Sequence, residues 1–191
     1  MDITSFLLYC FIVTFTPGPT NIVILSTVHN RGTKKALEYT YGATVAFGLL
    51  LVVSAMLNSL LIEFIPKILI VMQAIGTLYM FYLAYQIYKA DKLKPTIHQA
   101  GSFVSGFLMQ FLNPKLILFT MTVIPSFIMP YYTAMPAMTI GVFAITVIGF
   151  LALMTWVLFG AIFKEFLQRH SKIVNVFMAL FLAYSGVMIW M

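Results

Sequence analysis

Six long apolar runs, at about 3–28, 39–62, 66–88, 102–125, 136–163 and 173–191, take up nearly the whole chain. Each is near the ~20 residues that carry a helix across a hydrocarbon layer of about 30 Å, and charged residues or prolines separate them. A backbone in that layer has no water to bond, so every N–H and C=O must find a partner inside the protein. Of the 191 residues 62% are hydrophobic and 8% charged, where a soluble domain carries about a quarter charged. The sequence therefore predicts an all-α membrane protein of six transmembrane helices, forming one transmembrane domain over 1–191 with no soluble domain. The first run opens on Asp2 rather than on lysine or arginine and is longer than a signal peptide's apolar core, so it is expected to stay in the mature protein. The single cysteine, Cys10, excludes an intramolecular disulfide.

The lysines and arginines set the orientation. Arg31, Lys34 and Lys35 follow the first run, Lys89, Lys92 and Lys94 the third, and Lys164, Arg169 and Lys172 the fifth. In a six-helix chain these three loops share one side, against Lys67 alone on the other. Cytoplasmic loops are the ones enriched in lysine and arginine, so both termini are expected outside. The net charge of +6 is then topological and calls for no nucleic-acid partner. His29, His98 and His170 fall in the same loops and are expected to be solvated.

The two halves repeat. Ser5-Phe6 opens the first run and Ser102-Phe103 the fourth, 97 residues on, and the same shift carries Pro17 onto Pro114. With a shift of 99, Gly42 maps onto Gly141 and Leu83-Ala84-Tyr85 onto Leu182-Ala183-Tyr184. Repeats of 1–95 and 96–191, each with an odd number of spans, would lie upside down relative to one another. Such inverted repeats are the architecture of many secondary transporters.

Within the first run stands Phe15-Thr16-Pro17-Gly18-Pro19-Thr20-Asn21. A proline in a helix interior costs about 3 kcal/mol relative to alanine, and irregular backbone at membrane depth survives only where it is packed in protein or lines a cavity. Pro17 leaves the carbonyl of Val13 without its helical donor, Pro19 that of Phe15, and Pro114 that of Gln110. These are acceptors suited to an ammonium. The half-helix restarting after Pro19 presents free N–H groups near Thr20 and Asn21 with its positive dipole end toward the break, which suits a carboxylate. The two breaks together suit a zwitterion; taken separately, each also reads as a plain proline kink.

The second break is Gln110-Phe111-Leu112-Asn113-Pro114-Lys115. If its helix enters near Gly101, Lys115 lies about 21 Å along the axis, the only charge deep in an apolar run. Such a lysine costs about 2.5–3.5 kcal/mol on insertion scales and marks a pathway or binding site. Its ammonium can attract a substrate carboxylate, or it can satisfy freed carbonyls of the first helix and hold the halves together. The candidate substrate-binding residues are thus Pro17, Gly18, Pro19, Thr20, Asn21, Gln110, Asn113, Pro114 and Lys115.

Other features have plainer readings. Tyr79, Tyr82, Tyr85 and Tyr88 form a stripe ending at Lys89, expected as an interfacial belt of which only Tyr79 and Tyr82 lie deep enough to face a pathway. Gly42 and Ala46 share a helical face and suit close packing. The 13 methionines read as packing filler. A metal exporter would need carboxylates, histidines or cysteines at membrane depth, where Cys10 stands alone, and an intramembrane enzyme would need a nucleophile with its base or a metal motif. Neither metal nor cofactor is expected, and no enzyme activity. A non-transporting structural subunit, or efflux of another small solute or ion, stays open as an alternative.

The Pro-Gly-Pro of the first helix, the glycine-punctuated second, and Phe107, Phe111, Asn113, Pro114 and Lys115 opening the second half resemble the LysE/RhtB family of bacterial amino-acid efflux proteins, over essentially the whole chain. From Phe103 to Pro130, and in the carboxyl-terminal helix, the chain is most similar to the cysteine/O-acetylserine exporter subgroup. The resemblance implies a multi-pass secondary transporter of the inner membrane and an amino-acid substrate, with protons as the coupling ion a family inference; a homo-oligomer stays open. It directs attention to Pro17, Gly18, Pro19, Asn113, Pro114 and Lys115. Many members carry asparagine or aspartate directly after the Pro-Gly-Pro, whereas this chain has Thr20 and then Asn21. No acidic side chain stands there to carry a proton. Asp2, Glu38, Glu63, Asp91 and Glu165 all map to ends or loops, so a cationic amino acid would find no carboxylate for its second ammonium. Small neutral amino acids of the cysteine, O-acetylserine, homoserine or threonine kind are the expected substrates.

Overall fold

The computed structural model describes residues 2–89, 101–132, 135–188 and 190, with the side chains of all of these except 58–69 and 72. The linker expected between the halves, with Asp91, Lys92, Lys94 and His98, lies outside the described residues, as do the side chains of Glu63 and Lys67. Among the described residues the fold is all-helical. Helix α1 (Ile3–Phe15) gives way to α2 (Pro19–Arg31), α3 (Thr33–Lys89), α4 (Phe103–Phe111) and α5 (Pro114–Val123), which runs into a π-helical turn over Ile124–Ile128; α6 (Met135–Ile162), α7 (Lys164–Arg169) and α8 (Ser171–Met188) follow. Among the described residues three segments are long and apolar enough to cross a membrane: Thr33–Leu57, Met135–Ile162 and Ser171–Met188. Counting each bent pair as one span, α1 with α2 (47°) and α4 with Pro114–Ile128 (65°) bring the number to five.

Local chemistry sets the boundaries. Asp2 caps α1, accepting from the Thr4 amide at 3.0 Å and from the Ser5 hydroxyl, and Ser102 caps α4 by accepting from the Ser105 amide at 3.1 Å. Pro19 and Pro114 each sit in the first turn of a helix, where a missing N–H costs nothing. Only Gly32 separates α2 from α3; its φ of 86° is a left-handed conformation that glycine adopts freely. The basic loop expected there is thus a single-residue corner, with Lys34 and Lys35 in the first turn of α3 and Lys35 paired to Glu38 at 2.6 Å. Ser54 Oγ on α3 donates to the Thr120 carbonyl at 2.7 Å, in the turn just before Pro125 and the π-helical segment.

Helix α3 merges the expected second and third spans. At 57 residues it would reach about 85 Å if straight, yet both its arms come to the same point on α4. The carbonyl of Tyr39 lies 2.0 Å from where a Cβ on Gly106 would stand, and the Tyr79 hydroxyl is 3.5 Å from Ser105 Oγ. The chain therefore doubles back, and its non-helical residue is Leu57 (φ −118°, ψ 23°), not the 63–65 boundary that the apolar runs suggest. Nothing in the local sequence explains a break at Leu57.

Backbone contact between α3 and α4 rests on glycine. A Cβ on Gly42 would sit 1.9 Å from the Phe103 carbonyl oxygen, the counterpart of the Gly106 contact with Tyr39. In lipid, where apolar side chains gain nothing by leaving their solvent, such close approach is what holds helices together. The packing role expected of Gly42 and Ala46 is borne out: Ala46 is buried in the same seam. The polarity of the bundle is inverted relative to a soluble protein. Leu7, Phe11, Phe143 and Leu158 are exposed, while Thr20, Asn21, Gln110 and Asn113 are buried. Helix α2 carries much of this inversion, with 11 of its 13 residues buried. His29 is among them at 7% exposure, which corrects the expectation of a solvated histidine: α2 is packed by α3, α4, α6, α7 and α8.

Candidate functional site

The two helix breaks face one another. Between them, and against α3 and α6, lies a cavity of about 30 Å³ lined by nine-tenths-buried Thr20, Asn21, Gln110 and Asn113, with Lys115, Gly18 and Val13 beside them. This brings together Gly18, Thr20, Asn21, Gln110, Asn113 and Lys115 of the residues expected from sequence. Pro17, Pro19 and Pro114 shape the breaks without lining that cavity. Pro17 instead lines a wider open groove of about 470 Å³ between α1 and α5, which shares Val13 and Lys115 with the cavity. The enclosed cavity is the better site despite its size. Its walls hold the converging buried polar groups, while the groove is flanked by exposed Ile12 and Leu118.

A polar chain joins the halves. Asn113 Nδ2 donates to Thr20 Oγ1 at 3.1 Å, Thr20 Oγ1 donates to Gln110 Oε1 at 3.3 Å, and Gln110 Nε2 donates back to the Gly106 carbonyl at 3.0 Å. Lys115 Nζ crosses to the first break and donates to the Thr16 carbonyl at 2.9 Å, an oxygen that also accepts from Asn21 Nδ2 at 3.0 Å. So the lysine does bind a carbonyl of the first break, though at Thr16 rather than at Val13 or Phe15. A Cβ on Gly18 would rest in ordinary van der Waals contact with Lys115 Cδ and Nζ at 3.5 Å.

The freed carbonyls are less free than the sequence implies. Trp156 Nε1 on α6 donates to the Phe15 carbonyl at 3.3 Å, and the Gln110 carbonyl accepts from the Asn113 amide at 3.3 Å. Val13 lines the cavity, where Pro17 has no N–H for its carbonyl. One side-chain acceptor is open: Asn113 Oδ1 is buried with no hydrogen-bond partner. On α2 the bond from the Ile22 amide to the Gly18 carbonyl, at 3.1 Å, closes the first turn. The amides of Thr20 and Asn21 precede it, where an α-helix supplies no partner.

Several residues of the site carry no local sequence signal. Gly149, Leu153 and Trp156 lie on one face of α6, the first two lining the cavity and the third holding the Phe15 carbonyl. Phe47 of α3 closes the far wall. The tyrosine stripe stays outside the cavity: Tyr82, Tyr85 and Tyr88 are exposed, and Tyr79 turns to Ser105. Among the described residues no cluster of histidine, cysteine or carboxylate side chains fits a metal.

Bent half-helices meeting at a buried polar cavity inside an apolar-surfaced bundle are an arrangement found in membrane transporters. The chain belongs to the LysE type translocator family, which matches it over residues 11–191. It is 32% identical over 190 residues to a cysteine/O-acetylserine efflux protein of Klebsiella pneumoniae, covering 98% of this chain and 96% of that one. Proteins of the same description from Salmonella paratyphi A (29% over 195 residues, 100% and 98% covered) and Escherichia coli K12 (26% over 190 residues, 98% and 97% covered) are also similar. No solved structure matches the chain. Family membership and the apolar helices make it a multi-pass membrane protein of the transporter class rather than an enzyme.

Proposed function

We propose that the chain is a secondary transporter exporting small neutral amino acids, of the cysteine, O-acetylserine, homoserine or threonine kind, from the cytoplasm across the bacterial inner membrane. The observation carrying this reading is the composition of the cavity wall, which among the described residues holds one cation, Lys115, one unpartnered amide oxygen, Asn113 Oδ1, and no carboxylate. An α-carboxylate takes Lys115 or the amides at Thr20 and Asn21, and an α-ammonium takes Asn113 Oδ1 and the Val13 carbonyl. A lysine or arginine substrate would bring a second cation with nothing to pair it at a depth where that is costly. Relatives named for cysteine and O-acetylserine efflux agree with a neutral substrate.

A cavity of about 30 Å³ holds water but not an amino acid. Loading therefore requires the halves to part, with Lys115 leaving the Thr16 carbonyl for the substrate. The 97-residue correspondence of Pro17 with Pro114 and the paired bends of 47° and 65° support one transporter domain of six spans in two inverted repeats, 1–95 and 96–191, rocking about this site. Both termini face outside in this arrangement. Protons as coupling ion would be carried by groups other than a carboxylate lining the cavity. In everted vesicles containing the protein, labelled cysteine and O-acetylserine should accumulate and labelled lysine should not. Accumulation of lysine alone would refute the neutral-substrate reading.

A further inference from the structure

The cavity's lining has polar and apolar members. Phe47, Leu116, Gly149 and Leu153 form its apolar wall, whose side chains offer a charge nothing. If the zwitterionic end of an amino acid takes the polar groups, its side chain is left to this wall. Phe47 is the wall's one aromatic ring, and two neighbours hold it. Its ring stacks on Phe119 with centroids 6.0 Å apart and planes at 23°, and Phe119 in turn contacts Tyr9 at 5.5 Å. A Cβ on Gly149 would stand 2.4 Å from Phe47 Cε1 and 2.8 Å from Cδ1. The ring thus fits only because position 149 carries no side chain, and it packs on Phe119 as well. Phe47 itself is 3% exposed.

We propose that Phe47, seated against Gly149 and backed by Phe119, is the specificity-determining residue that limits the size of the substrate side chain. This rests on the amino-acid reading above and adds to it which neutral amino acids pass. The ring fills volume that a larger side chain would need. A Cβ at position 149 would overlap the ring and crowd the same lining further.

The test measures cysteine, O-acetylserine and phenylalanine transport in everted vesicles, each rate normalised to the amount of protein in the membrane. Phe47→Ala should raise the phenylalanine-to-cysteine ratio by about tenfold or more, the scale on which an apolar pocket discriminates size, with Phe47→Leu between it and the wild type. Gly149→Ala should act in the opposite sense and depress O-acetylserine, the longer substrate, more than cysteine. If Phe47→Ala does not reach the membrane, Phe47→Leu and Gly149→Ala shifting in opposite directions support the proposal, and unchanged ratios or shifts in one direction overturn it. A wild type that carries phenylalanine as readily as cysteine also overturns it. The two readings fail differently: a wild type carrying no neutral amino acid takes down the proposed function itself, whereas cysteine transport with ratios indifferent to positions 47 and 149 removes the size filter alone.

Discussion

Replacing Lys115 by methionine separates its two roles, because the structural cost can be set against the transport cost. The substitution removes the bond from Nζ to the Thr16 carbonyl, a charged hydrogen bond of about 1.5–3 kcal/mol. It also removes an ammonium whose insertion costs about 2.5–3.5 kcal/mol. The Thr16 carbonyl keeps Asn21 Nδ2 at 3.0 Å, so no acceptor is orphaned, and the net change in stability lies between about −0.5 and +2 kcal/mol in favour of the variant. Transport has no such compensation. Truncating one partner of a buried, hydrogen-bonded charge pair costs about 2–5 kcal/mol, a fall of about 30-fold to several thousandfold in flux at limiting substrate. Quantitative immunoblotting of membranes together with vesicle flux reads both. A Lys115→Met protein present at wild-type level and transporting at wild-type rate would refute the carboxylate role and leave Lys115 as a tie between the halves.

Trp156→Phe leaves the Phe15 carbonyl without its donor and should lower stability by about 1–3 kcal/mol, seen as an earlier melt of the purified protein in detergent; an unchanged melt would mean that the carbonyl finds another donor. Gly106→Ala puts a methyl group 2.0 Å from the Tyr39 carbonyl oxygen. Because backbone must move to admit it, the loss should exceed the about 1–3 kcal/mol of ordinary overpacking and deplete the protein from membranes, whereas Gly18→Ala, with only 3.5 Å contacts, should leave it there. Single cysteines at Lys34 and Lys172 in a Cys10→Ser background should resist an impermeant thiol reagent added to intact cells, and labelling of both from outside would invert the topology.

The sequence marks the site where polarity and proline interrupt an apolar run, and falls silent where the site is itself apolar. Pro17, Pro19 and Pro114 announce both breaks because the carbonyls they free at that depth must be met by packed protein or a cavity, and Lys115 is conspicuous as a lone charge. Gln110 and Asn113 follow from their closeness to the second break. Phe47, Gly149, Leu153 and Trp156 have no such contrast, since α6 is apolar along its whole length and any face of it could turn inward. Which carbonyls stay open was likewise illegible, because the Trp156 donor comes from 141 positions away. His29 reads as solvated beside Arg31, and only the packing of α2 by five other helices shows it buried. The division of α3 at Leu57 was missed for a related reason: apolar runs locate spans by composition, and a bend made by an ordinary leucine leaves composition unchanged.

The most direct measurement asks whether substrate occupies the cavity between the breaks. With Thr20 replaced by cysteine in a Cys10→Ser background, a small permeant thiol reagent should alkylate position 20 in membranes at a measurable rate. Cysteine cannot serve as the competing ligand in a thiol assay, so O-acetylserine and threonine are the probes, with lysine as control. If the polar cavity at Thr20, Asn113 and Lys115 holds the amino acid, O-acetylserine or threonine should slow the alkylation saturably while lysine leaves it unchanged. Alkylation indifferent to both neutral amino acids, at concentrations that saturate their transport, would contradict the placement of the site.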